Sequence, residues 1–397
     1  MNIPVAVLQE LQIASDVDAV GKSYDQETHG YQDSRRCRAL TGRHRDSDAG
    51  LDSGLVPEPG LPALPPDLGD WSGVRAAVTG SGGFIGSHLV EELVRAGAHV
   101  RALTSYRAQR DDGALTWADA DVLAALELQR GDVRDSEAME RLVADRDVVF
   151  HLAALVAIPY SYDNPRVVFD VNVTGTLNVA LAARDASVQR LVHTSTSEVY
   201  GTAQHVPITE EHPINAQSPY AASKAAADQL VMSFHRSYEL PATIVRPFNT
   251  YGPRQSMRAV LPTIVAQALA GGPVHLGSLD PRRDMTYVAD TVAGFLAAAR
   301  TPAANGETLQ LGTGVDHSVA EMVAAVGRAV GRELVVEQDP ARTRPVASEV
   351  MRLISGPERM KRVTGWEPHW SLDDGVAALV EWVQSHLDAF EPDEYAI

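Results

Sequence analysis

Cysteine is almost absent from this sequence: Cys37 stands alone in 397 residues. A single thiol excludes an intramolecular disulfide, a cysteine-based zinc site and an iron–sulfur cluster, and it points to a reducing, cytoplasmic compartment. No metal site is expected. No apolar run reaches the roughly 18 residues that a membrane helix needs, so no membrane span is expected. Met1 to Leu11 carries no basic residue ahead of its apolar ones, which argues against a secretory signal. Basic residues are also scarce, with 34 Lys and Arg against 52 Asp and Glu for a net charge of −18. Neutralising phosphates takes an excess of Lys and Arg, so nucleic acid is excluded as a partner. No internal repeat is visible. What is present is 45% apolar and 22% charged, a composition that supports one large globular domain or two small ones.

Residues 1–70 differ from the rest. They hold six prolines, the lone cysteine, and 12 acidic against 6 basic residues, and they lack sustained periodicity after about Ser15. This stretch reads as a disordered N-terminal extension. From Val74 onward, short apolar runs alternate with helix-like segments, the pattern of a parallel sheet covered on both faces. Strands are predicted at Val74–Thr79, Val100–Leu103, Leu126–Gln129, Val148–Leu152, Arg190–Thr194 and Thr243–Phe248. Helices are predicted at Phe84–Ala96 and Val168–Ala183. The fold class is therefore α/β, a Rossmann-type doubly wound parallel sheet over residues 71–250 with returning segments near 284–313. After Tyr251 the chain is richer in Pro and Gly, and 251–283 with 314–390 reads as a smaller, interleaved C-terminal substrate lobe.

Thr79-Gly80-Ser81-Gly82-Gly83-Phe84-Ile85-Gly86 follows the first predicted strand and opens the first helix. Such a turn needs residues without Cβ so that backbone approaches a pyrophosphate, whose charge then sits on free N–H groups of the helix. Gly80, Gly83 and Gly86 take those roles, with Phe84 and Ile85 between them. An ordinary glycine-rich loop is the competing reading, and the strand before and helix after weigh against it. The second strand ends without the carboxylate that would read an NAD ribose. Ser105 and Arg107 are there instead and suit a 2′-phosphate, so NADP is the expected cofactor and NAD the alternative; Arg107 as a solvated loop charge is equally open. Asp132 and Val133 suit adenine contact, and Leu152, Ala153 and Ala154 let the nicotinamide half pass close to backbone. His151 reads as a packed strand histidine.

Tyr220 and Lys224 lie one helical turn apart on one face. A free phenol titrates near 10, too high for a base at neutral pH, so Lys224 is expected to favour the phenolate. Tyr220 would then remove a hydroxyl proton as hydride leaves the same carbon. Ser195-Thr196-Ser197-Glu198 ends the fifth strand, where open α/β sheets bind ligands. Thr196 is placed to hydrogen-bond the hydroxyl being oxidised. Glu198 has no task in dehydrogenation alone, but it has one if a carbon-bound proton beside a new ketone must be removed. A solvated turn carboxylate is the plain alternative.

These residues carry a family resemblance. Thr-Gly-x-x-Gly-Phe-Ile-Gly at 79–86, Asn172 within Asn-Val-Thr-Gly-Thr, Ser195 to Gly201, Tyr220-x-x-x-Lys224 and Arg246-Pro247-Phe248-Asn249-x-Tyr251-Gly252-Pro253-Arg254 together resemble the extended short-chain dehydrogenase/reductases that act on nucleotide sugars. The runs His151–Tyr160, His193–Thr202 and Pro281–Val288 are most similar to 4,6-dehydratases of the UDP- or GDP-N-acetylglucosamine type. The dTDP-glucose 4,6-dehydratases carry Asp-Glu where this chain has Ser197-Glu198. The Ser-Glu pattern is similar to GDP-mannose 4,6-dehydratases and to UDP-glucuronate decarboxylases.

The resemblance implies an internal redox cycle on a nucleotide-diphosphate sugar: oxidation at C4, removal of the C5 proton by Glu198, loss of water from C6, and hydride return to C6. Thr196, Ser197, Glu198, Tyr220 and Lys224 are the implied catalytic set, with Ser197 too weak an acid to protonate the leaving hydroxyl alone. Asn249, Arg254 and Arg283 fall on positions that hold the diphosphate, and Arg344 is a further candidate; for Arg283 a surface ion pair with Asp284 competes. Asn172 is expected to brace the strand and a water near Lys224, and Trp366 to plug the second lobe. A homodimer through Val168–Ala183 and Tyr220–Ser237 is implied. A UDP-glucuronate decarboxylase, a 4-epimerase and a non-catalytic NADP-sensing scaffold are the alternatives.

Overall fold

The computed structural model describes residues 69–106, 112–339 and 351–387. Nearly all of the expected N-terminal extension, together with Arg107 and Arg344, lies outside the described residues.

Seven parallel strands form the main sheet: β1 (Arg75–Thr79), β2 (His99–Ser105), β3 (Glu127–Gly131), β4 (Val148–His151), β5 (Arg190–Thr194), β6 (Ala242–Pro247) and β10 (Thr308–Leu311). Their order is β10-β6-β5-β4-β1-β2-β3, so the chain winds outward in both directions from the β1/β4 pair. A cleft opens at the carboxyl ends of strands at such a switch point, which fixes where the site must be. Alternate side chains explain why both faces are covered. Val78, Phe150, Val192 and Val245 enter one apolar core, and their neighbours Ala77, Val149, Leu191 and Ile244 enter the other. The first face is covered by α1 (Phe84–Arg95) and α9 (Val288–Arg300), through residues such as Leu89, Leu93 and Phe295. The second is covered by α3 (Ser136–Val143), α6 (Gly175–Asp185) and α7 (Pro219–Tyr238), through Leu142, Val179 and Val231.

The predicted helix Val168–Ala183 is not continuous. It divides into α5 (Pro165–Phe169), one π-helical turn at Asp170–Thr174, and α6. The reason lies in the side chain of Asn172, which is buried inside that turn. Its Oδ1 accepts from Leu155 N–H at 2.8 Å, and its Nδ2 donates to Leu155 C=O at 3.1 Å and Ser223 Oγ at 2.9 Å. The amide thus ties the loop after β4 to α7.

A smaller sheet is built on β9 (Arg282–Tyr287), which pairs in parallel with β7 (Asn249–Tyr251) and β13 (Arg352–Leu353) and antiparallel with β11 (Asp316–Ser318). Beside it, β8 (Val274–Leu276) pairs with β12 (Val336–Gln338), and α8 (Val260–Ala270), α10 (Val319–Val330) and α12 (Leu372–Ser385) pack together. Trp366 is buried and its Nε1 donates to Asp290 C=O at 3.0 Å, the plug expected from the sequence.

Candidate active site

A cleft of about 1200 Å³ opens over the carboxyl ends of the main strands and runs out between β9 and α10. Gly80, Gly83, Phe84, Ile85, Gly86, Ser105, Asp132, Val133, Leu152, Ala153, Ala154 and Tyr220 all line it. The glycine turn is closed by its own backbone, Gly83 N–H donating to Gly80 C=O at 2.9 Å. A Cβ on Gly80 would sit 2.7 Å from Ala153 N, and φ there is +71°. On Gly86 a Cβ would run into the Gly80 carbonyl. These positions admit only glycine, and they leave the N-terminal N–H groups of α1 open toward the cleft, as a dinucleotide pyrophosphate requires.

Thr79 at the end of β1 organises the facing loop. Its Oγ1 accepts from Leu152 and Ala153 N–H, each at 3.1 Å, and gives its proton to His151 Nδ1 at 2.8 Å. His151 Nε2 then donates to Thr176 Oγ1 at 2.9 Å, which passes its own proton to Asn172 C=O at 2.6 Å. Every proton in this chain has one place to go, so His151 is neutral with Nε2 protonated, and burial holds its pKa well below the usual value. It is a packing histidine, as expected.

Beside the end of β2, the structure supplies a carboxylate that the sequence hides. Asp112 lines the cleft beside the end of β2, its carboxylate 3.5 Å from Thr104 Oγ1 and 2.7 Å from the Arg130 guanidinium. It stands seven residues past the strand, so no strand-end motif marks it. Asp132 lines the cleft with its carboxylate gripped by Arg134 at 2.7 and 3.0 Å.

The catalytic candidates approach from β5 and α7. Ser218 caps α7, its Oγ accepting from Ala221 N–H at 3.1 Å, and Pro219 sits in the first turn, which sets Tyr220 at the cleft floor. Thr196 and Glu198 line the cleft, and Glu198 N–H donates to Thr196 Oγ1 at 3.2 Å. Ser197 does not line it; it is 4% exposed and turned into the protein. Burial pushes the Tyr220 phenol up to about 12, the Thr196 hydroxyl opposes this, and the charges of Glu198 and Asp228 add to it. The expected lowering by Lys224 is not among the influences on that phenol. Lys224 is buried behind Tyr220 rather than in the cleft lining, and burial brings its ammonium down to about 8 against the pull of Asp228. An ammonium that must itself be desolvated has less charge to lend.

Asn249 and Arg283 line the opposite end of the cleft. Asp284 is taken up by Thr313, Gly314 and Ser355, which donate to it from N–H and O–H groups, so the surface pair with Arg283 is not formed. Arg254 departs from expectation. It lies outside the cleft lining and is buried, donating to Glu91 Oε2 at 2.7 Å and Trp117 C=O at 2.9 Å. Its φ of +67° turns the side chain back onto α1. Tyr160, Met257 and Met322 also line the cleft and were not singled out from the sequence.

A doubly wound sheet, a glycine turn without room for Cβ and a Tyr-Lys helix beside it define a Rossmann-type dinucleotide-binding protein. Residues 77–379 match the family described as GDP-mannose 4,6 dehydratase. The UDP-glucose 4-epimerase of Mycolicibacterium smegmatis is 34% identical over 79% of this chain and 99% of its own length. The dTDP-glucose 4,6-dehydratase of Streptomyces griseus is 33% identical over 79% of this chain and 95% of its own. Among solved structures, the dTDP-glucose 4,6-dehydratase DesIV of Streptomyces venezuelae, with NAD and TYD bound, superposes with a TM-score of 0.70 at 31% identity, covering 80% of this chain and 99% of that one. The chain belongs to the nucleotide-sugar epimerase/dehydratase family of extended short-chain dehydrogenase/reductases, enzymes that use a nicotinamide cofactor. No helix among the described residues is long and apolar enough to cross a membrane.

Proposed function

We propose that this enzyme is a nucleotide-sugar 4,6-dehydratase that makes a 4-keto-6-deoxy sugar. The observation that carries the reading is Glu198: a carboxylate in the cleft, beside Thr196 and close enough to Tyr220 for its charge to raise the phenol. The nicotinamide supplies reversible uptake and return of hydride, and the glycine turn with Leu152, Ala153 and Ala154 would hold it. Thr196 orients the sugar 4-hydroxyl and Tyr220 accepts its proton, with Lys224 behind. Glu198 takes the C5 proton, made acidic by the adjacent ketone, and gives it to the departing C6 hydroxyl, which leaves as water; C5 then regains a proton from solvent by way of Glu198, and Tyr220 releases to solvent the one it took, which closes the balance. Ser197, turned inward, has no part in that step. Asn249 and Arg283 hold the diphosphate, and the lobe formed by 251–283 and 314–390 covers the nucleotide.

We assign NADP as the cofactor. Ser105 lines the cleft where the 2′-phosphate would lie, and the Asp112 charge is compensated by Arg130. Parallel titrations test this, and NAD binding tenfold tighter than NADP would overturn it. A homodimer through α5, α6 and α7 is the expected assembly; Phe169 and Tyr238 are exposed on those helices.

The epimerase relatives favour one second reading, a 4-epimerase, in which Glu198 has no task. Incubation with UDP-, GDP- and dTDP-hexoses followed by mass spectrometry separates the two. Dehydration shows as a loss of about 18 Da, one water, while epimerisation leaves the mass unchanged and decarboxylation of a uronate loses CO2. Glu198→Gln is expected to cut dehydration by at least about 100-fold, the usual range for a general base, while still reducing cofactor. Unchanged dehydration by that variant defeats the assignment.

A further inference from the structure

The stripe that carries Tyr220 and Lys224 continues one turn further. Asp228 follows Lys224 at i+4 on the same face of α7, and both are fully buried. The carboxylate is held from two strands. Its Oδ2 accepts from Ser195 Oγ at 2.8 Å at the end of β5, and from Arg246 Nε and Nη2 at 3.1 and 2.8 Å on β6. Arg246 in turn donates to the Tyr200 hydroxyl at 2.8 Å. Its Oδ1 is different: it is buried, accepts no hydrogen bond, and faces His193 Nε2 at 3.5 Å. That imidazole has no hydrogen-bond partner on either nitrogen and stacks obliquely on His151, with ring centroids 5.4 Å apart. With one oxygen fixed by Ser195 and Arg246 and the other facing His193, the carboxylate lies one turn beyond the buried Lys224.

We infer that Asp228 is a positioning residue for the reaction, a third member of the Tyr220–Lys224 stripe that keeps the buried lysine ammonium charged and aimed at the phenol. This rests on the reading of Tyr220 as the base. The spacing gives the sense of the effect. Along the helix axis Asp228 is about 6 Å from Lys224, at 1.5 Å per residue, so the carboxylate acts on the ammonium from one turn away. The groups facing Asp228 are Lys224 on its own helix, His193 and Ser195 on β5 and its end, and Arg246 on β6. His193 does not compete as a counter-cation, because burial brings its pKa down to about 4. Asp228 itself stays ionised: burial opposes this, but the His193, Arg246 and Lys224 partners carry its pKa below the ordinary value.

The sequence makes the test direct. Lysine occurs only at Lys22, Lys224 and Lys361, so the full chain labelled with 13C-lysine gives three side-chain signals, with Lys224 identified by its loss in Lys224→Met. Lys224 should titrate near 8. Asp228→Asn should lower that midpoint by about one pH unit, the scale set by removing a unit charge one helical turn away, while Asp228→Glu should restore it. Should Asp228→Asn fail to fold because Arg246 is left stranded, Asp228→Asn with Arg246→Gln is titrated beside Arg246→Gln alone, and the midpoint is compared between those two. The signal of Lys361, which pairs with Glu367, should not move. An unchanged Lys224 midpoint in a folded variant overturns the inference whatever the substrate proves to be. The alkaline limb of the turnover profile should move down in step; a moved midpoint with no dehydratase turnover would instead refute the proposed reaction and leave the electrostatic role standing.

Discussion

Replacing Arg254 with methionine separates a structural arginine from a ligand-binding one. The sequence places it in a motif that suggests diphosphate contact, but its guanidinium is buried against Glu91, whose side chain is 1% exposed. Methionine keeps most of the volume and removes the charge. Breaking a buried pair by deleting one partner costs about 3–5 kcal/mol, because the survivor is left without compensation. Glu91 keeps Arg95, whose Nη2 lies 2.6 Å from its other oxygen, so the lower end applies. About 3 kcal/mol, spread over an unfolding entropy of about 2.1 cal/mol/K per residue for roughly 300 folded residues, is a fall of about 5 °C in Tm.

The assay is calorimetric melting of the full chain beside nucleotide-sugar kinetics. Arg254→Met should melt about 5 °C lower with KM unchanged, and adding Glu91→Gln should recover part of the loss, since the stranded charge is then gone. Arg283→Met, on a residue that lines the cleft, should raise KM at least about tenfold, the equivalent of one charge-assisted hydrogen bond. An Arg254→Met chain with unchanged Tm and a tenfold higher KM would refute the placement.

Two further outcomes follow from the same geometry. Gly80→Ala should abolish cofactor binding in a fluorescence titration while leaving a folded chain, because its Cβ would meet Ala153 N at 2.7 Å with φ at +71°; binding within a factor of ten of the parent would contradict the cradle. Acid should destabilise the fold through buried histidines. His88, whose Nε2 lies 3.0 Å from Pro253 C=O, is brought down to about 3 by burial first and by the Arg254 charge second. A depressed folded pKa means that the unfolded chain binds the proton first, so the stability it contributes is complete above about 6.5 and drains as pH falls toward 3. His88→Leu should flatten the stability slope between pH 6 and 4.5 by about 1.4 kcal/mol per unit, read from urea melts, and an unaltered slope would show that the imidazole is not buried neutral.

The parts of the fold legible in the sequence are those where one local rule suffices. Ala77 and Val78, or Val149 and Phe150, announce a doubly covered strand by being apolar on both faces. Gly80 to Gly86 announces the turn because no other residue fits there. The Tyr220–Lys224 spacing announces a helix face. What the sequence does not show depends on where a side chain is sent by contacts far along the chain. Arg254 sits in the expected motif, but a left-handed φ directs it onto α1. The Asn172 side chain turns a predicted helix into a π-helical step by gripping Leu155 and Ser223. Asp112 reaches the cleft from a loop, after a strand that carries no carboxylate of its own.

The same distinction decides which hydroxyl matters after β5. Four polar residues in a row, Ser195 to Glu198, look interchangeable as letters, and the turn sorts them. Leaving the strand, Thr196 holds an extended conformation with φ −161° and ψ 153°, and the 3-10 turn Ser197–Tyr200 begins immediately after it. Thr196 and Glu198 therefore reach the cleft together, Ser195 lines it with its hydroxyl committed to Asp228, and Ser197 is buried away from it. The Glu198 N–H occupies one lone pair of Thr196 Oγ1, which leaves the Thr196 proton to be donated outward toward a substrate oxygen or toward Tyr220. One short turn thus brings an alcohol and a carboxylate to the cleft that Tyr220 also lines. A shift of one residue in that turn would bring Ser197 to the cleft and remove Glu198 from it, which on the proposed reaction would leave C4 oxidation without a base for C5.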